Sequence, residues 1–123
     1  MSLTREQERA RLAFRQVSQV AEGSEKGQQK YRAITRKAQG LIRNAGLCQA
    51  LHFIAGKDEY KVLVTHLQEH VAKHLGMKGD LLTLVRGDEG GLAGYLATTR
   101  EVLQCLTWQS RMVDAVLGEG EED

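Results

Sequence analysis

The chain of 123 residues contains no proline, although average usage of about 5% predicts roughly six. Because proline breaks helix interiors and marks many loops, its absence indicates long helices joined at glycines. Cysteine is also scarce: Cys48 and Cys105 lie far apart and form no CxxC unit, so neither a disulfide scaffold nor a cysteine zinc site is predicted. We expect both as small apolar core residues.

Long apolar runs are missing as well. No window approaches about 18 apolar residues and the N-terminus is polar, so the sequence predicts neither a membrane span nor a signal peptide. We therefore expect a cytoplasmic protein. With 41% hydrophobic residues the chain can form one core, and its length suits one domain.

The apolar residues recur at helical spacing, and no segment alternates as a strand does. Thr4 and Gln7 form a capping box for the first helix, Gly46 and Gly76 stand where helices end, and Asp58 is predicted to cap a helix start. We predict an all-α, single-domain bundle of four main helices plus one or two short helices. The domain is expected to span residues 1–117, with an acidic flexible tail at 118–123, and the glycine-rich stretch from 76 to 94 is the predicted joint.

The last helix, predicted from about Gly91 to Leu117, has two apolar sides. The predicted inward stripe consists of Leu92, Tyr95, Leu96, Thr99, Val102, Leu103, Leu106, Val113 and Leu117. Pointing away from it are Cys105, Trp108, Met112 and Val116. This second set is either another buried side of a central helix or a subunit interface, and both alternatives stay open.

The formal net charge is +1, but the charges are distributed unevenly along the chain. Residues 1–43 carry ten Lys or Arg and four acids, a balance of +6, while the remaining 80 residues carry −5. From Lys26 to Lys57 there are seven basic residues and no Asp or Glu. A helix surface that serves only solubility usually carries charges of both signs. Opposite charges one turn apart stabilise the helix, whereas like charges destabilise it.

Such a one-sign surface attracts polyanions and holds phosphates without reading bases. The alternative is that acids elsewhere in the fold, including the tail, pair with it. The predicted RNA-binding residues are Arg32, Arg36, Lys37, Arg43, Lys30, Lys26, Arg9 and Arg15.

His66, Glu69 and His70 match the H-x-x-E-H pattern of inverted zinc proteases. Such an enzyme also needs a further ligand and a substrate cleft, so we predict a structural or surface role and no metal. The stretch 87–94 lacks the Lys-Ser/Thr of a phosphate-binding loop, and no nucleophile set is found. We predict no enzyme activity and no cofactor, although a small metal-dependent hydrolase stays as a minor alternative.

Two segments carry a family resemblance. Residues 30–53 contain Lys-Tyr-Arg, then Leu-Ile-Arg-Asn-Ala-Gly-Leu and Gln-Ala-Leu-His-Phe. Residues 92–111 contain Leu-Ala-Gly-Tyr-Leu, Thr-Arg-Glu and Trp-Gln-Ser-Arg. In this order they resemble the small helical subunit of the Cmr complex, the type III-B CRISPR ribonucleoprotein that destroys target RNA.

The resemblance implies a non-enzymatic subunit, present in several copies, that stacks beside the crRNA-bearing backbone and helps bind the crRNA and target RNA. Its partners would be other Cmr subunits, copies of itself and the RNA backbone, with no membrane and no small-molecule substrate. Within the matched segment it supports Arg32, Arg36, Lys37 and Arg43 as RNA contacts. The alternative function is a structural adaptor in another assembly, whose basic face binds an acidic protein.

Overall fold

The computed structural model describes residues 2–87 and 91–118, and within these ranges it contains helices and no strand. The helices are α1 (Arg5–Ala21), α2 (Glu25–Ala45), α3 (Leu47–Ala55), α4 (Lys61–Leu75), α5 (Leu81–Val85) and α6 (Gly91–Met112). A 3-10 turn at Asp58–Tyr60 precedes α4, and a π-helical turn at Val113–Leu117 continues α6. The predicted all-α fold is confirmed. Residues 119–123 of the predicted tail and residues 88–90 of the predicted joint lie outside the described residues.

Local sequence signals set several helix ends. The Thr4 hydroxyl accepts from the Gln7 backbone N–H at 3.0 Å, and the Gln7 side chain accepts from the Thr4 backbone N–H at 2.9 Å, so the capping box is confirmed. Gly46 ends α2 at φ +86° and Gly76 ends α4 at φ +67°, both backbone conformations that favour glycine.

The start of α4 differs from the prediction. Asp58 caps no helix, because the chain first makes a 3-10 turn and the Asp58 carboxylate pairs with Lys61 Nζ at 2.8 Å. The segment Leu47–Ala55 that precedes this turn forms α3, and Gly46 is the one residue between α2 and α3.

Helix α6 lies at the centre of the bundle, where it contacts α1, α2, α4 and α5. The core around it is mainly aliphatic and includes Ile34, Leu47, Leu51, Leu67 and Leu106. None of the described helices is long and apolar enough to cross a membrane.

Two residues of the predicted inward face of α6 are exposed, whereas Tyr95 of the same face packs against the core. Leu92 is 73% exposed and Leu96 is 47% exposed. The side chains that α6 buries include Thr98, Glu101 and Gln109, whose polar atoms find partners inside the fold. Apolar spacing alone does not reveal such a face, because the partners lie on other helices or in the helix's own backbone.

Candidate nucleic-acid interface

Three basic side chains of α2, namely Lys26, Lys37 and Arg43, are exposed. Among the described residues no carboxylate forms an ion pair with any of them. Helix α2 presents them outwards because its other side is anchored in the core through Tyr31, Ile34, Thr35, Ala38 and Ile42. These three side chains are defined here as the α2 basic surface.

Two more predicted residues of α2 form ion pairs at the surface. Lys30 Nζ lies 3.4 Å from Glu59 Oε2, and Arg36 Nη2 lies 3.2 Å from Asp114 Oδ1. All four side chains are between 39% and 56% exposed. Exposed pairs of this kind contribute only about 0–1 kcal/mol, so a phosphate can compete with either carboxylate.

Arg32, one of the predicted RNA-binding residues, is buried in the fold. Its Nη1 donates to the Leu117 carbonyl oxygen at 3.2 Å, because the π-helical turn after α6 packs against α2. A cation at the C-terminal end of a helix stabilises the unpaired carbonyls there. Arg32 therefore holds the end of the chain's last helical segment in place.

Arg9, predicted to bind RNA from charge alone, pairs with Glu101 in two contacts, Nε to Oε2 at 2.7 Å and Nη2 to Oε1 at 2.8 Å. Glu101 is 4% exposed and also accepts from the Cys105 thiol at 3.1 Å. Burial would raise the pKa of Glu101, but the hydrogen bonds from Arg9 and Cys105 outweigh burial and its pKa is lowered. Arg15, on the same helix, pairs with Glu69 at the surface. Both arginines are thus already matched by carboxylates.

Cys105 lies in the core, fully buried, which excludes it from the predicted subunit interface and confirms its expected core role. Met112 and Val116 are partly buried and pack against the core. Trp108 is half-buried, with the Arg111 guanidinium carbon 5.6 Å from its ring centre. A subunit interface through Trp108, Met112 and Val116 stays a prediction.

His66 and His70 of α4 belong to a hydrogen-bond chain inside the bundle. Gln109 Nε2 donates to the Tyr31 hydroxyl at 2.8 Å, so this hydroxyl donates to His66 Nδ1 at 2.7 Å. His70 Nε2 donates to the side-chain oxygen Oε1 of Gln109 at 2.8 Å. Burial lowers the pKa of both His66 and His70 to about 4.

The remaining member of the H-x-x-E-H pattern, Glu69, faces another way. Its carboxylate accepts from Gln16 Nε2 at 3.0 Å and pairs with Arg15. In the part of the chain that the structure describes, no three His, Cys, Asp or Glu side chains are grouped for a metal ion. The residues of the H-x-x-E-H pattern therefore form hydrogen bonds and an ion pair that link α4 to α1, α2 and α6.

Phe53 and Lys57, which border α2, were not predicted as site residues from the sequence. Phe53 is 50% exposed, and Lys57 Nζ lies 5.5 Å from the centre of its ring. Two signals point to them: the acid-free run extends as far as Lys57, and Phe53 falls outside the apolar stripe of α3.

Comparisons with known proteins agree with the resemblance noted in the sequence. The family model described as "CRISPR-associated protein (Cas_Cmr5)" matches residues 5–116. The CRISPR system Cmr subunit Cmr5 of Thermus thermophilus is 38% identical over 119 residues, which cover 94% of this chain and 98% of that protein. The crystal structure of a CRISPR-associated Cmr5 family protein from the same organism superposes with a TM-score of 0.77 at 36% identity, covering 93% of this chain and 98% of that one. The chain belongs to the Cmr5 family of CRISPR-associated proteins.

Proposed function

We propose that this chain is a non-enzymatic subunit of a cytoplasmic type III-B Cmr ribonucleoprotein. In that assembly it stacks with neighbouring subunits and holds the phosphate backbone of the crRNA and target RNA on the α2 basic surface. Membership of the Cmr5 family supports the assembly, since the similar Thermus protein is named a Cmr subunit.

The observation that carries the RNA contact is the α2 basic surface itself. Lys26, Lys37 and Arg43 are exposed on one helix without an acidic partner among the described residues. Fixed cations without partners release counterions from a polyanion when they bind it, so they favour RNA regardless of its base sequence. Lys30 and Arg36 extend this surface where phosphate displaces Glu59 or Asp114.

The test is the triple variant Lys26→Glu, Lys37→Glu, Arg43→Glu in the assembled complex. We expect it to lower RNA affinity at least about tenfold at moderate salt, because three attractive contacts become repulsive. Its melting temperature should stay near that of the wild type, since the three side chains are exposed. Arg32 is left unchanged because it is buried.

The matched control is Arg11→Glu, Lys73→Glu, Lys78→Glu, which changes the net charge equally at exposed positions of α1, α4 and the α4–α5 connection. We expect this control to bind RNA as the wild type does. Equal RNA binding by the wild type and the α2 variant would contradict the proposal. If the α2 variant instead fails to enter the complex, the basic surface meets an acidic protein, as the adaptor alternative requires.

A further inference from the structure

Phe53 is an aromatic side chain placed on the outside of the bundle. Helix α3 anchors itself through Leu47, Ala50, Leu51 and Ile54, and this leaves Phe53 50% exposed. A phenylalanine at the surface costs hydration free energy unless something covers it. Among the described residues, the group placed over it is the Lys57 ammonium, 5.5 Å from the ring centre.

The lysine over this ring belongs to the segment that leads to the edge of α2. Lys57 Nζ also lies 5.9 Å from the centre of the Tyr60 ring. The neighbouring Glu59 contacts Lys30 of α2 at 3.4 Å, so the 3-10 turn brings the Phe53 region to the edge of that helix. Proteins bind single-stranded nucleic acids with an exposed aromatic ring beside a cation, so that a base stacks on the ring and a phosphate pairs with the cation.

A shallow, open depression lies beside Phe53. Its walls include Gln49, His52, Arg86 and Tyr95. His52 Nδ1 donates to the Cys48 carbonyl at 2.8 Å, and Arg86 Nη1 donates to His52 Nε2 at 3.2 Å, so the imidazole is held in one orientation. Gln49 is exposed, and its amide offers both a donor and an acceptor to the edge of a base.

We infer that Phe53 is a stacking site for one unpaired RNA base, with Lys57 holding the adjoining phosphate. The inference rests on the proposed function and adds a second kind of contact: the α2 basic surface holds backbone, and Phe53 holds a base that is not paired. The stacking surface accepts any base, because every base has a π face.

The experiment measures binding of the full chain to two single-stranded probes at low salt. One is a short oligouridine, and the other is an abasic ribose-phosphate oligomer of equal length. The wild type should bind oligouridine at least about fivefold more tightly, since stacking on an aromatic side chain is worth about 1–3 kcal/mol per base. Phe53→Ala should bind both probes equally, and Phe53→Trp should keep the preference.

The matched control is Phe14→Ala, which removes a similarly exposed phenylalanine (55%) from α1 and should leave the preference intact. A wild type without a preference, or a Phe53→Ala chain that keeps one, overturns the inference. A Phe53→Ala chain that keeps its preference but loses self-association in sedimentation shows that the ring contacts protein instead. The triple variant of α2 tests the proposed function independently, so a failure of the proposed function can be distinguished from a failure of the stacking inference.

Discussion

Arg9 and Arg15 occupy the same helix, yet their carboxylate partners lie in different surroundings. Arg9 is 13% exposed and meets Glu101, which is 4% exposed. Arg15 is 58% exposed and meets Glu69, which is 45% exposed. Removing Arg9 leaves the buried Glu101 without its close cation, since Arg5 Nη1 is 3.9 Å away and its side chain is 51% exposed, whereas water compensates the loss at the surface pair.

We therefore expect Arg9→Met to lower the free energy of unfolding by about 3 kcal/mol, and the melting temperature by on the order of 10 °C. The same change at Arg15 should cost less than about 1 kcal/mol. Urea and thermal unfolding of the two variants measure this difference. Equal losses would show that Arg9 and Glu101 are not a buried pair in solution.

The histidines predict a pH dependence of stability. His66 and His70 have a folded pKa of about 4, below the ordinary histidine value of 6.5, because they are buried as neutral groups. The unfolded chain thus binds more protons between these values, so stability is complete above about pH 6.5 and falls as the pH drops towards 4. From pH 7 to pH 5 we expect a loss on the order of 2 kcal/mol for each histidine, measured by urea unfolding.

The variant His70→Gln separates the histidine contribution to the pH dependence of stability from the contribution of the carboxylates. Glutamine keeps a donor for Gln109 but takes up no proton, so between pH 7 and 5 the variant should lose about 2 kcal/mol less stability than the wild type. Glu69 and Glu101 have lowered pKa values, and their pairs weaken only at lower pH. Identical stability of the wild type at pH 7 and pH 5 would contradict the buried network.

At the scale of elements, the α2–α3 junction depends on a single residue. Gly46 has φ +86° and ψ 160°, a region that is essentially restricted to glycine. A Cβ atom there would lie 3.6 Å from the Tyr95 hydroxyl, an ordinary contact, so the penalty for a side chain is backbone strain. The turn brings α3, and Phe53 with it, back along α2.

We expect Gly46→Ala to lower stability by about 1–3 kcal/mol. Gly40→Ala is the matched control, because Gly40 lies inside α2 with nothing within 4 Å of an added Cβ. There alanine should raise stability by about 0.5–1 kcal/mol through its higher helix propensity. Thermal unfolding compares both, and a gain at Gly46 would show that the junction has another conformation.

Helices and their ends could largely be predicted from sequence, because capping residues and glycines act locally. The Thr4 capping box and the stops at Gly46 and Gly76 depend on neighbours within a few residues. The orientation of α6 could not be predicted, since Glu101 and Gln109 are buried with partners on other helices. A polar residue looks exposed until its distant partner is known.

At the scale of the whole molecule, the basic residues in the first part of the chain fall into two groups: some are bound by other groups of the fold, and others are exposed. Arg9, Arg32 and Arg15 are bound by groups of the chain itself. Within the acid-free run, Lys30 and Arg36 pair with Glu59 and Asp114, as the alternative of pairing with acids elsewhere in the fold predicted for these two residues. The α2 basic surface has no such acidic partner among the described residues. Composition shows the excess of cations in the first part of the chain, but tertiary contacts decide which of them stay available.

The most direct test of the account is the salt dependence of RNA binding by the assembled complex, with the wild type compared to Lys26→Glu, Lys37→Glu, Arg43→Glu. Each phosphate contact contributes about 0.7–0.9 to the slope of log K against log salt. We predict that the slope of this variant is smaller by about 2–3, while the control Arg11→Glu, Lys73→Glu, Lys78→Glu keeps the wild-type slope. A wild-type slope and affinity in the α2 variant would contradict the account.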